Sequence, residues 1–206
     1  MSSTQYKLTH NHLAEYHEDF IDPVLRGGNI QDIVYEAAEQ IYEFKLFTPE
    51  FCQLVIDEAE HYNNWRVYTD VLEHPYAEGC KNFCLPDQTL QLYNFPGMEA
   101  VYAKIVERHL EPLMQKLWPV FKIQKINPPY LLKYEPEVIR GMGVHYDLET
   151  VGLVIYLNEE FEGGGTSFPR WNYNTGKPKP GSAIIYPGGL SHVHEGLPIT
   201  AGKRYL

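Results

Sequence analysis

Ser182-Ala183-Ile184-Ile185-Tyr186-Pro187-Gly188-Gly189 is a short, β-rich apolar run stopped by a Pro-Gly-Gly turn. Residues 121–124, 130–134, 151–157 and 203–206 have the same texture: β-rich runs parted by Gly, Pro and Asn. Upstream the texture is helical. Thr48-Pro49-Glu50 combines a hydroxyl N-cap, a proline at the first helical position and an acid in the first turn. The helix it starts puts Phe51, Leu54, Val55, Ala59 and Tyr62 on one face and ends near Asn63-Asn64. A second helix begins near Met98, with Val101, Ile105, Leu110, Leu113 and Leu117 inward and Pro112 kinking or dividing it. Residues 43–47 alternate like a strand, 30–41 look helical, and 65–97 read as irregular. Helices followed by many short strands describe a helical layer on an antiparallel sheet or sandwich. The fold class is α+β, mainly β.

The 206 residues suit one domain with a sizeable core. Hydrophobic residues at 44% and charged residues at 21% exclude a disordered or fibrous chain. A net charge of −10 argues against nucleic acid, which needs clustered Lys and Arg; it suits a cationic substrate, although acidic surfaces also serve solubility alone. Cys52, Cys80 and Cys84 make no disulfide framework. His74, Cys80 and Cys84 could build a zinc site, but the spacing is not that of a ribbon or finger, and free thiols are the expected state. No apolar signal segment, membrane-length run or Asn-x-Ser/Thr sequon occurs. With Met1 as a native start, the expected compartment is the cytoplasm.

The chemistry lies in Val144-His145-Tyr146-Asp147 and, 49 residues after His145, in His194. On an extended backbone His145 and Asp147 point to one side and can offer a nitrogen and a carboxylate to one ion. Two His and one carboxylate on one face of an iron leave open positions, the facial arrangement of non-haem Fe(II) oxygenases. His-x-Asp alone is weak. The weight comes from Arg204, ten residues beyond His194, because a dicarboxylate that chelates iron at one end needs a fixed cation at the other. His192 and His194, two apart, are both expected on one side of a strand.

These residues carry a resemblance to the 2-oxoglutarate oxygenase domain of procollagen lysyl hydroxylases, within the prolyl-4-hydroxylase-like superfamily. Tyr186-Pro187-Gly188-Gly189-Leu190-Ser191-His192-Val193-His194-Glu195-Gly196-Leu197-Pro198, with Gly202-Lys203-Arg204-Tyr205, is similar to the family's most specific segment. Glu162-Gly163-Gly164-Gly165-x-x-Phe168, Phe51-Cys52 and Glu60-His61-Tyr62-x-x-Trp65 add to it, over roughly residues 43–206. The resemblance implies a double-stranded β-helix, or jelly roll, buttressed by N-terminal helices. Its parts would be an extension at 1–42, helical support at 43–120 and the jelly-roll core at 121–206. It implies His145, Asp147 and His194 as iron ligands and Arg204 at the distal carboxylate of 2-oxoglutarate. It places Tyr134 and Asn158 at the co-substrate pocket, although a Tyr at a core edge reads as well, and it leaves His192 as a neighbour of that pocket. Glycines 163–165 serve a tight turn.

The implied cofactors are Fe(II), 2-oxoglutarate as co-substrate and L-ascorbate as reductant. The implied partners are O2 and a peptide, protein or amino-acid substrate, first a peptidyl-lysine, with Glu135, Glu137 or Glu149 as partners for its ammonium. Prolyl residues, free amino acids and small metabolites are alternatives of the same chemistry. A non-catalytic jelly-roll binding protein or a zinc enzyme with the same three ligands is the alternative of another class. The family's closing apolar strand and tail, used in dimer contacts, follow Arg-Tyr, whereas this sequence stops at Leu206; a homodimer is therefore not assumed. As part of a longer chain the protein would belong in the endoplasmic reticulum lumen.

Overall fold

The computed structural model describes residues 6–27, 30–68 and 87–206. Short helices α1 (Pro23–Gly27) and α2 (Ile30–Ile33) precede α3 (Pro49–Tyr62), α4 (Met98–Ile105) and α5 (Glu111–Leu117). The strands are β1 (Tyr35–Ala38), β2 (Ile41–Lys45), β3 (Arg66–Tyr68), β4 (Asp87–Gln91), β5 (Tyr130–Tyr134), β6 (Met142–His145) and β7 (Val151–Ile155). They continue as β8 (Phe161–Gly163), β9 (Thr166–Phe168), β10 (Tyr173–Asn174), β11 (Ser182–Pro187), β12 (His194–Gly196), β13 (Ile199–Gly202) and β14 (Arg204–Tyr205).

One sheet runs β1-β2-β11-β7 and another β14-β5-β4-β3; a bond from Leu157 N to Tyr205 O (3.1 Å) ties them together. The opposing layer is β10-β9-β12-β6, with β13-β8 as a separate pair. This is the jelly roll. Strand β11 shows how the layers stack. Ala183 and Ile185 join the cluster that holds Phe51 and Val55 of α3 and Val101 and Ile105 of α4. Ile184 and Tyr186, on the alternate face, pack inward against Phe168 of β9. Both faces of β11 are therefore covered, which explains its unbroken apolar run.

Helix α3 starts as the sequence requires. Thr48 Oγ1 accepts from Phe51 N at 3.3 Å, and Asn63 ends the helix in the left-handed region at φ 47°. Its one buried acid, Glu58, accepts from Tyr6 OH, from Thr9 N (3.0 Å), and from His10 through N (2.8 Å) and Nδ1 (2.8 Å). Pro112 divides the second helix as expected. It falls in the first turn of α5, behind a widened turn over Val106–Leu110. Proline cannot supply the next hydrogen bond, and the wider turn absorbs the mismatch.

Four expectations need correction. Residues 30–41 are helical only to Ile33; Glu36 and the Ala pair instead form β1, which turns at Gln40 (φ 58°) and pairs with β2. Sheet completion overrides helix propensity there. Residues 66–68 and 87–91, read as irregular, are strands; β4 buries Asp87, Gln88 and Thr89, so no apolar alternation announces it. Residues 121–124 form no strand. The strands also do not start at residue 121, because β1, β2, β3 and β4 complete both sheets. No helix among the described residues is long and apolar enough to cross a membrane.

Candidate metal and co-substrate site

Strands β6 and β12 pair with His194 directly opposite His145, so two residues distant in sequence become cross-strand neighbours with ring centroids 4.3 Å apart. Asp147 follows β6 and turns back to them. Its Oδ1 lies 4.0 Å from His145 Nε2 and 3.8 Å from His194 Nε2, and the three ligand atoms all lie within 4.8 Å of one another. The nearest point equidistant from the three atoms lies at most about 2.5 Å from each, close to the ~2.0–2.2 Å of imidazole and carboxylate ligation. The donor set fits a divalent first-row metal.

The far side of each ligand is occupied. His145 Nδ1 donates to Gly143 O (2.8 Å) and His194 Nδ1 to His192 O (3.0 Å), which leaves both Nε2 lone pairs facing Asp147. Burial pushes the His194 imidazole below its ordinary range and favours the neutral, ligating form. Asp147 Oδ2 accepts from Tyr186 OH at 3.0 Å. Burial, and then the Asp147 charge, push the Tyr186 phenol well above its ordinary value, so it remains a donor. Tyr186 is not among the site residues expected from the sequence, although its place two residues from Ile184 on a strand puts it on the interior face. Gly152 of β7 makes room for the pair. A Cβ there would stand 2.4 Å from Asp147 Oδ2 and 2.5 Å from Tyr186 Cε2.

Arg204 pairs with Tyr134 across β14 and β5, and its guanidinium lies 5.6 Å from the Tyr134 ring centre. It is fully buried. Nη1 donates to Gly165 O (3.0 Å) and Nη2 to Thr166 Oγ1 (3.3 Å), while Nε has no partner. No carboxylate pairs with it among the described residues. Burial lowers its pKa, but a guanidinium stays charged. An isolated interior cation costs several kcal/mol unless an anion joins it. Tyr134 and Thr166 line the same cavity, about 890 Å³, as His145, Asp147 and His194. Burial pushes the Tyr134 phenol up to about 12. Glycines 163–165 all have positive φ, and their turn delivers the Gly165 carbonyl to Arg204.

Other expected site residues stand elsewhere. His192 is not on the strand with His194; it ends a single 3-10 turn over Gly189–His192. Its ring lies 4.6 Å from Trp171, with Nδ1 on Ser191 Oγ (2.9 Å) and Nε2 on Glu39 O (3.1 Å), and only its carbonyl serves the metal ligands. Asn158 spends its amide on backbone, donating to Lys203 O (2.8 Å) and accepting from Tyr205 N (2.9 Å). Glu135 pairs with Lys203 (2.9 Å) and Lys133 (3.7 Å), and Glu149 accepts from Asn127 Nδ2 (2.7 Å). His74, Cys80 and Cys84 lie outside the described residues, and Cys52 is buried in α3 as a free thiol.

The OGFOD2-like domain model matches residues 2–122. The chain belongs to the OGFOD2-like family. The matched segment ends before β5, so it covers the helices and the strands that complete the sheets. Over its whole length the OGFOD2-like chain is similar to procollagen-lysine,2-oxoglutarate 5-dioxygenase 1 of Rattus norvegicus, at 28% identity over 219 residues, 30% of that protein. It is 34% identical over 182 residues to the procollagen lysyl hydroxylase and glycosyltransferase of Acanthamoeba polyphaga mimivirus, covering 86% of this chain and 20% of that one. The chain thus spans less than a third of the length of these curated relatives. Among solved structures it is similar to the viral collagen prolyl hydroxylase of Paramecium Bursaria Chlorella virus-1 in its 2OG complex. There the TM-score is 0.58 at 17% identity, over 82% of this chain and 93% of that one. A prolyl-4-hydroxylase of Pseudomonas putida gives a TM-score of 0.57 at 14% identity, over 85% and 92%. These likenesses establish the jelly-roll fold of 2OG-Fe(II) oxygenases. The expected resemblance to lysyl hydroxylases is borne out.

Proposed function

We propose that the protein is an Fe(II)- and 2-oxoglutarate-dependent dioxygenase that hydroxylates an unactivated C–H bond, first of all on a peptidyl-lysine side chain. The observation that carries this reading is Arg204: a buried cation with no anion partner among the described residues, whose neighbours Tyr134 and Thr166 line the cavity of the three converging metal ligands. A hydrolytic zinc site has no use for it. A dicarboxylate that reaches the metal with one end satisfies it with the other.

In this reading His145 Nε2, His194 Nε2 and Asp147 Oδ1 hold the iron. Bound iron with 2-oxoglutarate supplies oxidative decarboxylation by O2, giving succinate, CO2 and one oxygen atom for the substrate. The chain's own residues bind, orient and exclude water. Arg204 and Thr166 Oγ1 receive the distal carboxylate, and the Tyr134 and Phe161 rings, each within 5.8 Å of the guanidinium, keep that end dry. The Gly143 and His192 carbonyls fix the ligand tautomers. L-Ascorbate would keep the iron reduced between turnovers. The similarity to lysyl hydroxylases favours lysine as the substrate residue, and the net charge of −10 suits its ammonium. Glu135, tied to two lysines, is not its partner.

The test is anaerobic addition of Fe(II) and 2-oxoglutarate, which should give the weak visible charge-transfer band of the chelate. Mass spectrometry of Gly-x-Lys and Gly-x-Pro peptides after aerobic incubation then assigns the substrate. Oxygen gained on lysine supports the lysyl reading, and gain on proline alone replaces it. No band would remove the oxygenase reading altogether.

A further inference from the structure

Asp147 shows its two oxygens to different surroundings. Oδ1 is the atom that faces both histidine nitrogens, at 4.0 and 3.8 Å. Oδ2 is turned to Tyr186 OH, 3.0 Å away. That phenol cannot drift. Tyr186 is 1% exposed, packs edge-on against Phe168 with ring centres 5.0 Å apart, and stands where any side chain at position 152 would collide with it. Its hydroxyl also lies 3.2 Å from His194 Nε2. Once that nitrogen ligates a metal, the carboxylate is the one acceptor left of the two, and a charge-assisted bond favours it further.

The number of oxygens Asp147 uses matters because coordination positions are few. An octahedral ion held by three protein atoms keeps three positions open. A 2-oxoglutarate chelate fills two and leaves one. A carboxylate that swings to bind through both oxygens leaves only two, and the chelate closes the site. We propose that Tyr186 is a positioning residue that holds Asp147 to one-oxygen ligation and so reserves the position dioxygen needs. The inference rests on the iron and 2-oxoglutarate reading above.

The test counts exchangeable waters on Mn(II), an oxygen- and nitrogen-loving stand-in for Fe(II), by water-proton relaxation. The wild-type protein with Mn(II) alone should carry three waters, and one after 2-oxoglutarate is added. Tyr186→Phe, which removes only the hydroxyl, should carry two and then none. Its Mn(II) relaxivity would fall by about one third, as expected from three open positions becoming two. Equal counts in the two proteins overturn the role of Tyr186. Should the variant fail to fold, the wild-type count still decides, since two waters on Mn(II) alone would mean that Asp147 already binds through both oxygens. If 2-oxoglutarate displaces no water from the wild type, the co-substrate reading falls, while the Mn(II)-only counts still judge Tyr186.

Discussion

The two ends of the site are built on opposite plans. At the metal end every ligand's rear atom has a protein partner: Gly143 O, His192 O and Tyr186 OH. At the other end Arg204 keeps an unpartnered Nε and meets no carboxylate among the described residues. The first end is finished except for an ion, so its residues are aimed before anything binds. The second holds an unpaired cation, and under the proposed function an anion of the right reach completes it. Preorganised ligands and an unpaired buried cation are two different ways to prepare for what binds.

The largest expected effect breaks the finished end. His194→Ala or Asp147→Ala should lower Fe(II) affinity by more than the ~100-fold typical of losing a ligand's outer partner, read as metal retained after dialysis. Next comes Arg204→Met. It should raise the 2-oxoglutarate requirement by roughly 2–5 kcal/mol in binding, with iron loading unchanged. Without co-substrate its melting temperature should equal or exceed that of the wild type, since an uncompensated buried charge has been removed. An unchanged 2-oxoglutarate dependence would erase the contrast between the two ends.

His192→Ala is smaller and sharpens the same contrast. The ring braces Ser191, Glu39 and Trp171 rather than the ion, so stability should fall by about 1–3 kcal/mol while metal is retained. Metal loss in His192→Ala with retention in His194→Ala would mean that the two histidines had been exchanged.

The smallest effect concerns Glu58, away from the site. Burial raises its pKa, but hydrogen bonds from Tyr6, Thr9 and His10 outweigh burial and hold it below the ordinary carboxylate value. Its stabilising contribution is complete above the unfolded carboxylate pKa and is lost as pH falls through the lower folded one. Amide protection at Thr9 and His10, relative to the intrinsic exchange rate at each pH, should therefore fall on acidification, and Glu58→Gln should flatten that dependence.

Much of this was legible because the chemistry demanded rare residues at fixed positions. His145, Asp147, His194 and Arg204 could be read from type and spacing, and the cap at Thr48 and the divider at Pro112 from local stereochemistry. What escaped was context. Tyr186 looks like any strand tyrosine until β11 is seen to be covered on both faces. His192 was misplaced because two residues apart means one side only on a strand, and the glycines before it turn the chain. Strand β4 buries polar residues, and β1 is written in helix formers; pairing partners distant in sequence created both.

Strand β2 has one more consequence. The run over Ser182–Pro187 that carries Tyr186 is uncharged and rich in β-branched and aromatic residues, a composition that stacks readily into cross-β aggregates when its edge is bare. Residues 182–185 are paired to β2, whose Glu43 and Lys45 stand opposite Ile184 and Ser182. Anyone excising residues 121–206 of this molecule must carry residues 41–45 along. Without them the strand behind the metal ligands becomes a template for neighbouring chains, and precipitation would be mistaken for loss of function.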